Sequence, residues 1–177
     1  MNRYWNKLFI IFIFVLTASL VFVGCGADST TAPESDSTVV CPPENGIVIF
    51  GTEGCLHCRD LKKLSYEKFG EDNTCFVEVS SAYGGDKETQ EFFTKIYKTA
   101  YPFIREDQMG VPLSFLFKEG SVRAVFIGGL PLEALNSLDE FVSTSTQAII
   151  IWEGKGYQLS ATTALELTRD IKEFFQK

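Results

Sequence analysis

Histidine and methionine are nearly missing from this chain of 177 residues, and positive charge is scarce. His57 is the only histidine, and Met109 is the only methionine after Met1. A zinc centre needs about four ligands, so the cysteines would have to supply most of them. A copper(I) site would find its extra soft ligand only at Met109. There are 16 basic against 23 acidic residues, a net charge of −7. That balance argues against nucleic-acid binding and against a polybasic membrane surface. Neither an internal repeat nor a glycine-rich phosphate loop is present.

What is present begins with an export signal. Arg3 and Lys7 precede residues 8–23, which carry no charge. Sixteen apolar residues are short for a spanning helix, which needs roughly 20, and suit a secretory signal over residues 1–24. Phe22-Val23-Gly24-Cys25 resembles a bacterial lipoprotein box, with Phe22 where leucine is usual. The resemblance implies cleavage before Cys25 and lipidation of that cysteine. The alternative is an uncleaved anchor with Tyr4 and Trp5 at the interface. Both place the rest outside the cytoplasm, in a membrane-anchored, cell-envelope location. With no twin arginine, export in an unfolded state is expected. Residues 25–45 are rich in Ser, Thr, Asp and Pro and read as a flexible tether. Removing residues 1–24 takes away Arg3 and Lys7 and no acid, leaving −9. The remaining 46–177 is long enough for one domain with its own core.

Cys55-Leu56-His57-Cys58 is the most informative stretch. It follows the apolar run of residues 46–50 and opens a helical pattern. Two thiols three positions apart at a helix start lie close enough to form a disulfide. Unpaired backbone N–H groups there stabilise a thiolate. These are the requirements of thiol–disulfide exchange. Cys55 is then the exposed nucleophile and Cys58, one turn in, the buried resolving thiol. His57 can donate a hydrogen bond or positive charge toward Cys55, or can be a plain exposed helix residue; Glu53 opposes part of any such effect.

Residues 47–50 read as a buried strand. A helix follows to Phe69 with Leu61, Leu64 and Phe69 on one face, stopped by Gly70. Residues 75–79 form the next strand. Gly84-Gly85-Asp86 caps a helix over 87–98, whose Phe92, Phe93, Ile96 and Tyr97 read as core. Residues 113–117 and 122–127 form a hairpin about Lys118-Glu119-Gly120-Ser121. Pro131 opens a helix with Leu132, Leu135, Leu138 and Val142 on one face. The first two strands should be parallel with a right-handed crossover. A further hairpin over 147–160 and a helix over 163–175 follow, without a place assigned by the pattern.

This order, with Cys-x-x-Cys between the first strand and helix, resembles the thioredoxin superfamily across residues 46–142. Val111-Pro112 stands just before a strand, where that family carries a cis-proline against the cysteines. The resemblance implies a thioredoxin-like α/β fold: a central mixed sheet flanked by helices, here with an extra C-terminal hairpin and helix. It implies that Val111 and Pro112 align a bound peptide as an added strand. It also implies an oxidoreductase acting on exported protein thiols or disulfides, with a membrane or periplasmic redox partner, no cofactor and no metal. Leu56-His57 shares the histidine of the DsbA-type oxidases, and Val111 is common to both. Oxidase or isomerase is therefore favoured over reductase. The span from thioredoxin to DsbA is about 150 mV, more than one histidine supplies. Departures from the family are Gly54 in place of a Trp before the first cysteine, and Ile49 in place of a buried acid. Residues 80–109 are also longer than in plain thioredoxins. They leave a second reading open, a non-catalytic module of the same fold that binds a peptide or copper(I).

Cys41 and Cys75 complete the five cysteines. Cys75 begins the second strand and Cys41 lies just ahead of the first, at the shared end of parallel neighbours. An oxidising compartment favours a structural disulfide between them. A second, relaying redox pair is the alternative.

Overall fold

The computed structural model describes residues 40–177. The expected signal at 1–24, the lipidation site Cys25 and the tether as far as residue 39 lie outside the described residues. No helix among the described residues is long and apolar enough to cross a membrane.

Strand β1, Gly46–Gly51, is buried along its whole length. Ile47 and Ile49 pack into one core cluster, while Val48 and Phe50 pack into another. That is the two-sided burial a continuous apolar strand requires. Helix α1 (Leu56–Phe69) leads to β2 (Thr74–Glu78), which lies parallel to β1 with Val48 opposite Cys75. Helix α2 (Lys87–Ala100) leads to the hairpin of β3 (Leu113–Lys118) and β4 (Ser121–Ile127). β3 pairs antiparallel with β1. Helix α3 (Leu132–Thr144), the hairpin β5 (Ile149–Trp152) and β6 (Lys155–Gln158), and helix α4 (Ala161–Phe175) complete the chain. The sheet is six-stranded and mixed, in the order β2-β1-β3-β4-β5-β6.

Four helices cover this sheet on two sides. Ile96, Tyr97 and Ala100 of α2 and Leu167 and Ile171 of α4 share one cluster with Val48, Phe50 and Phe115. Leu61 of α1 and Leu135, Leu138 and Val142 of α3 share the other with Ile47, Ile49, Leu116 and Phe126. The chain is therefore an α/β domain. The aromatics of α2 belong to its packing: Phe92 stacks on Phe174 at 4.3 Å, and Phe50 lies 5.8 Å from Phe92.

The C-terminal elements extend the sheet. β5 pairs parallel with β4, Val125 opposite Ile150, and β6 forms the exposed edge. Asp170 of α4 is buried, yet Lys95 of α2 reaches it at 2.7 Å and Arg169 at 3.0 Å. Burial pushes its carboxyl up, but the two cations outweigh that and hold it below the usual carboxylate range.

Two details differ from the sequence pattern. On α1 the buried residues are Cys58, Leu61 and Ser65, and Leu64 is only half-buried. Cys58 faces inward, and steps of three and four residues from it reach Leu61 and Ser65, not Leu64. The folded domain also begins ahead of Gly46. Pro43 is buried. Gly120 N–H donates to the Glu44 carbonyl at 2.8 Å, and Glu119 N–H donates to Asn45 Oδ1 at 3.2 Å. Glu44 and Asn45 are thus fastened to the β3–β4 turn, and Cys41 reaches Cys75 of β2, so residues 41–45 lie along the domain, not in the tether. Their polar composition reflects a surface strap, with Glu44 and Asn45 exposed.

Candidate functional site

β1 ends at Gly51, and the chain turns through Thr52 to Cys55, whose N–H donates to the Thr52 carbonyl at 2.9 Å. Cys55 is the N-cap of α1, with extended backbone, and its Sγ accepts a hydrogen bond from the Cys58 N–H at 3.3 Å. A sulfur in this place takes up one of the amides that a helix start leaves unpaired. Cys55 is half-buried, Cys58 is fully buried, and both are free thiols.

The Cys58 sulfur lies over Gly51, where a Cβ would meet it at 3.1 Å. A side chain there would press Cys58 and the Phe76 ring back by a few tenths of an ångström. Burial pushes the Cys58 thiol up to about 12, with help from its hydrogen bond to Cys55 and the negative charge of Glu78. A hydrogen bond with the Thr52 backbone acts the other way, by more than the Glu78 charge does.

Val111-Pro112 is a cis peptide, and it faces the pair: the Cys55 thiol donates to the Val111 carbonyl at 3.8 Å. The loop is held at both ends. Gly110 N–H donates to the buried Tyr97 hydroxyl at 3.2 Å, and Gly128 N–H donates to the Pro112 carbonyl at 2.8 Å. His57 is exposed, and its side chain lies beside Gly129, whose added Cβ would sit 3.5 Å from the His57 Cβ and 3.7 Å from Nδ1. The described residues contain no hydrogen bond from His57 to Cys55. Cys55, Cys58, Val111 and Pro112 thus meet at one end of β1, with His57 on the outer side.

Two contributors escaped the sequence pattern. Glu78 ends β2 opposite Gly51. Its carboxylate accepts from Glu53 N–H and from Ser80 N–H, each at 2.8 Å, tying the loop before Cys55 to the turn after β2. The absence of an acid at Ile49 holds, since Ile49 is an apolar core residue. The acid near the thiols comes from the neighbouring strand. The parallel register of β1 and β2 was the signal that could have found it. The second contributor is Tyr83, in the short helical turn Ser81–Tyr83. Its ring lies against Gly54: a Cβ there would come within 2.7 Å of it. Nothing local in the sequence joins these positions, 29 residues apart.

Glu53 is itself paired. Lys62 Nζ lies 2.6 Å from its carboxylate and 4.7 Å from the centre of the Phe76 ring. The hydrogen bond to Glu53 holds the Lys62 ammonium above its ordinary value despite partial burial.

Cys41 and Cys75 sit apart from this site. Their sulfurs are at disulfide-bonding distance, with Cα atoms 6.0 Å apart, and Cys75 is 3% exposed. Among the described residues no three His, Cys, Asp or Glu side chains converge as metal ligands would. Met109 packs half-buried against the α2 and α4 side of the core. Comparisons of the chain with models of known families, with curated proteins and with solved structures gave no match.

Proposed function

We propose that this domain is a thiol–disulfide oxidoreductase of thioredoxin-like fold, acting on exported protein thiols or disulfides. One observation carries the reading. Cys55 stands half-open at the start of α1 with its sulfur on the Cys58 amide, and Cys58 waits, buried, directly behind it.

The chemistry needs only these two sulfurs and the substrate's. In the oxidising direction a substrate thiolate attacks the Cys55 sulfur of a Cys55–Cys58 disulfide. The Cys55–Cys58 bond breaks, a mixed disulfide with Cys55 forms, and Cys58 leaves as thiolate and takes a proton. A second substrate thiolate then attacks the substrate sulfur, releasing Cys55 and an oxidised substrate. Two electrons pass to the pair, and a redox partner must remove them. In the reducing direction Cys58 attacks the mixed disulfide instead. That step needs the Cys58 proton to be lost first, and the reverse step, in which Cys58 leaves as thiolate, is slowed by the same raised proton affinity, so Cys58 does not set the direction. The oxidase or isomerase direction rests on His57, which from the exposed side would stabilise a Cys55 thiolate and so the reduced pair.

Val111 contributes backbone polar groups beside Cys55 on which an extended peptide can align. The N-terminal residues would hold the domain at the cell envelope, through lipid on Cys25 or an uncleaved anchor. The test is reactivation of reduced, unfolded ribonuclease together with insulin reduction. Turnover in either that is abolished by Cys55→Ser supports the enzyme. A domain with no turnover to lose is a binding module.

A further inference from the structure

We propose that Tyr83 and Leu56 form an apolar rest beside Cys55 that selects peptides whose cysteine has an aromatic or aliphatic neighbour. This rests on the reading of Cys55 as the nucleophile and names its substrate class.

Large hydrophobic side chains are well exposed at seven described positions, and two of these flank Cys55. Leu56 follows it directly and is 60% exposed; Tyr83 is 56% exposed. Tyr83 is distant in sequence but its ring rests on the backbone of Gly54, the residue before Cys55. Any side chain at position 54 would fill the space the ring occupies. The turn that carries the ring is held by backbone hydrogen bonds. Tyr83 N–H and Gly85 N–H both donate to the Ser80 carbonyl, at 3.0 and 2.9 Å. Ser80 N–H in turn donates to Glu78, whose other oxygen holds Glu53 N–H. One carboxylate therefore fixes the Tyr83 turn and the Cys55 loop relative to each other.

A rigid aromatic ring offers large contact area with little ordering entropy. The sulfur of Cys55 donates to the Val111 carbonyl, while its two chain neighbours are Gly54, on which Tyr83 rests, and the exposed Leu56. A peptide cysteine bonded to Cys55 would then have its backbone toward Val111 and a neighbouring side chain toward Tyr83 and Leu56. Covering them with one apolar side chain gives about a tenfold preference.

The experiment measures kcat/KM for exchange with two short peptides, one with Phe and one with Ser beside its cysteine. Wild type should favour the Phe peptide by about tenfold, Tyr83→Phe should keep that ratio, and Tyr83→Ala should reduce it to about twofold. Leu56→Ser, at an exposed first-turn position, should lower the ratio without disturbing Gly54. Because each ratio is internal to one protein, altered folding does not imitate the result. Exchange with both peptides at equal rates in wild type overturns the wall and leaves the oxidoreductase reading standing. Exchange with neither overturns both. A ratio untouched by Tyr83→Ala and Leu56→Ser, or a change in oligomeric state in its place, also overturns the wall, the latter marking a contact between copies.

Discussion

The two cysteine pairs of the domain use one side chain for opposite ends. Cys41 and Cys75 are 34 residues apart and meet beside β1 and β2. Cys55 and Cys58 are three apart and stay free at the far end of β1. The difference lies in what surrounds each sulfur. Cys75 is enclosed within the α2 and α4 side of the core, and its partner packs against the same cluster. Cys55 occupies a helix start, half-open, with its partner's amide for company. Sequence spacing alone would not tell the bonded pair from the free one; the topology of parallel strands sends one pair to each end, and on the proposed function the first is the fastener and the second the reagent.

The sharpest way to break this comparison is at the reagent. On the proposed function, Cys55→Ser should lower thiol exchange by at least about a thousandfold, since the other free thiol among the described residues, Cys58, is fully buried. Cys58→Ser should behave differently: Cys55 still attacks, but the mixed disulfide persists because no second sulfur displaces the substrate. Mass spectrometry of the intact protein after one turnover would show the adduct in Cys58→Ser and not in Cys55→Ser. Equal labelling of both cysteines by an alkylating agent in the wild-type protein would contradict the open-and-buried arrangement.

The fastener should answer to a different measurement. Closing a loop of this length by a disulfide stabilises by about 3–4 kcal/mol on the chain-entropy view. Cys75→Ala should lose that, plus packing of a buried sulfur, in urea unfolding. Cys41→Ser should lose the first part alone. Exchange by Cys55 should survive in both at temperatures where they remain folded. Should Cys41→Ser stop turnover as fully as Cys58→Ser does, the two pairs form one relay and the contrast drawn between them disappears.

Much of this arrangement could be read from the chain because it is local. The apolar run before Cys55 announces a strand buried on both faces, and the helix-start cysteines carry their chemistry in three positions. Gly70 and Asp86 mark helix ends that the backbone respects, Asp86 by accepting from Thr89 N–H at 2.7 Å. The cis Val111-Pro112 loop was legible from its place before a strand. What stayed hidden depends on register between strands or on packing of distant turns. Glu78 nears the thiols only because β2 runs parallel to β1 with Gly51 opposite it. Tyr83 reaches Gly54 only because a carboxylate pins two loops. The hairpin of β5 and β6 is plain as a hairpin, but its seat depends on Val125 pairing with Ile150, which no local pattern states. Residues 41–45 misled by composition, since a strap fastened to the surface at Cys41, Glu44 and Asn45 looks as polar as a tether.

The smallest effect tests the field around Cys58. The folded protein keeps the Cys58 proton up to about pH 12, whereas an ordinary thiol loses it near 9.0. The folded state therefore binds more protons than the unfolded chain between these values, and stability must fall as pH rises through them. The contribution is fully present below about pH 9 and is lost progressively above it, at a slope approaching about 1.4 kcal/mol per pH unit. The Cys55–Cys58 disulfide form has no such thiol, so its unfolding free energy should lack the slope. Urea titrations of both forms at pH 8, 9 and 10 would show the curves diverging. Glu78→Gln should reduce the divergence by a part only, because burial is the first cause of the shift and the carboxylate a lesser one. Ultraviolet titration of the Cys58 thiolate in Cys55→Ala, with and without Glu78→Gln, isolates that part. A titration unmoved by Glu78→Gln would mean that the carboxylate acts on this site through its two backbone hydrogen bonds and not through its charge.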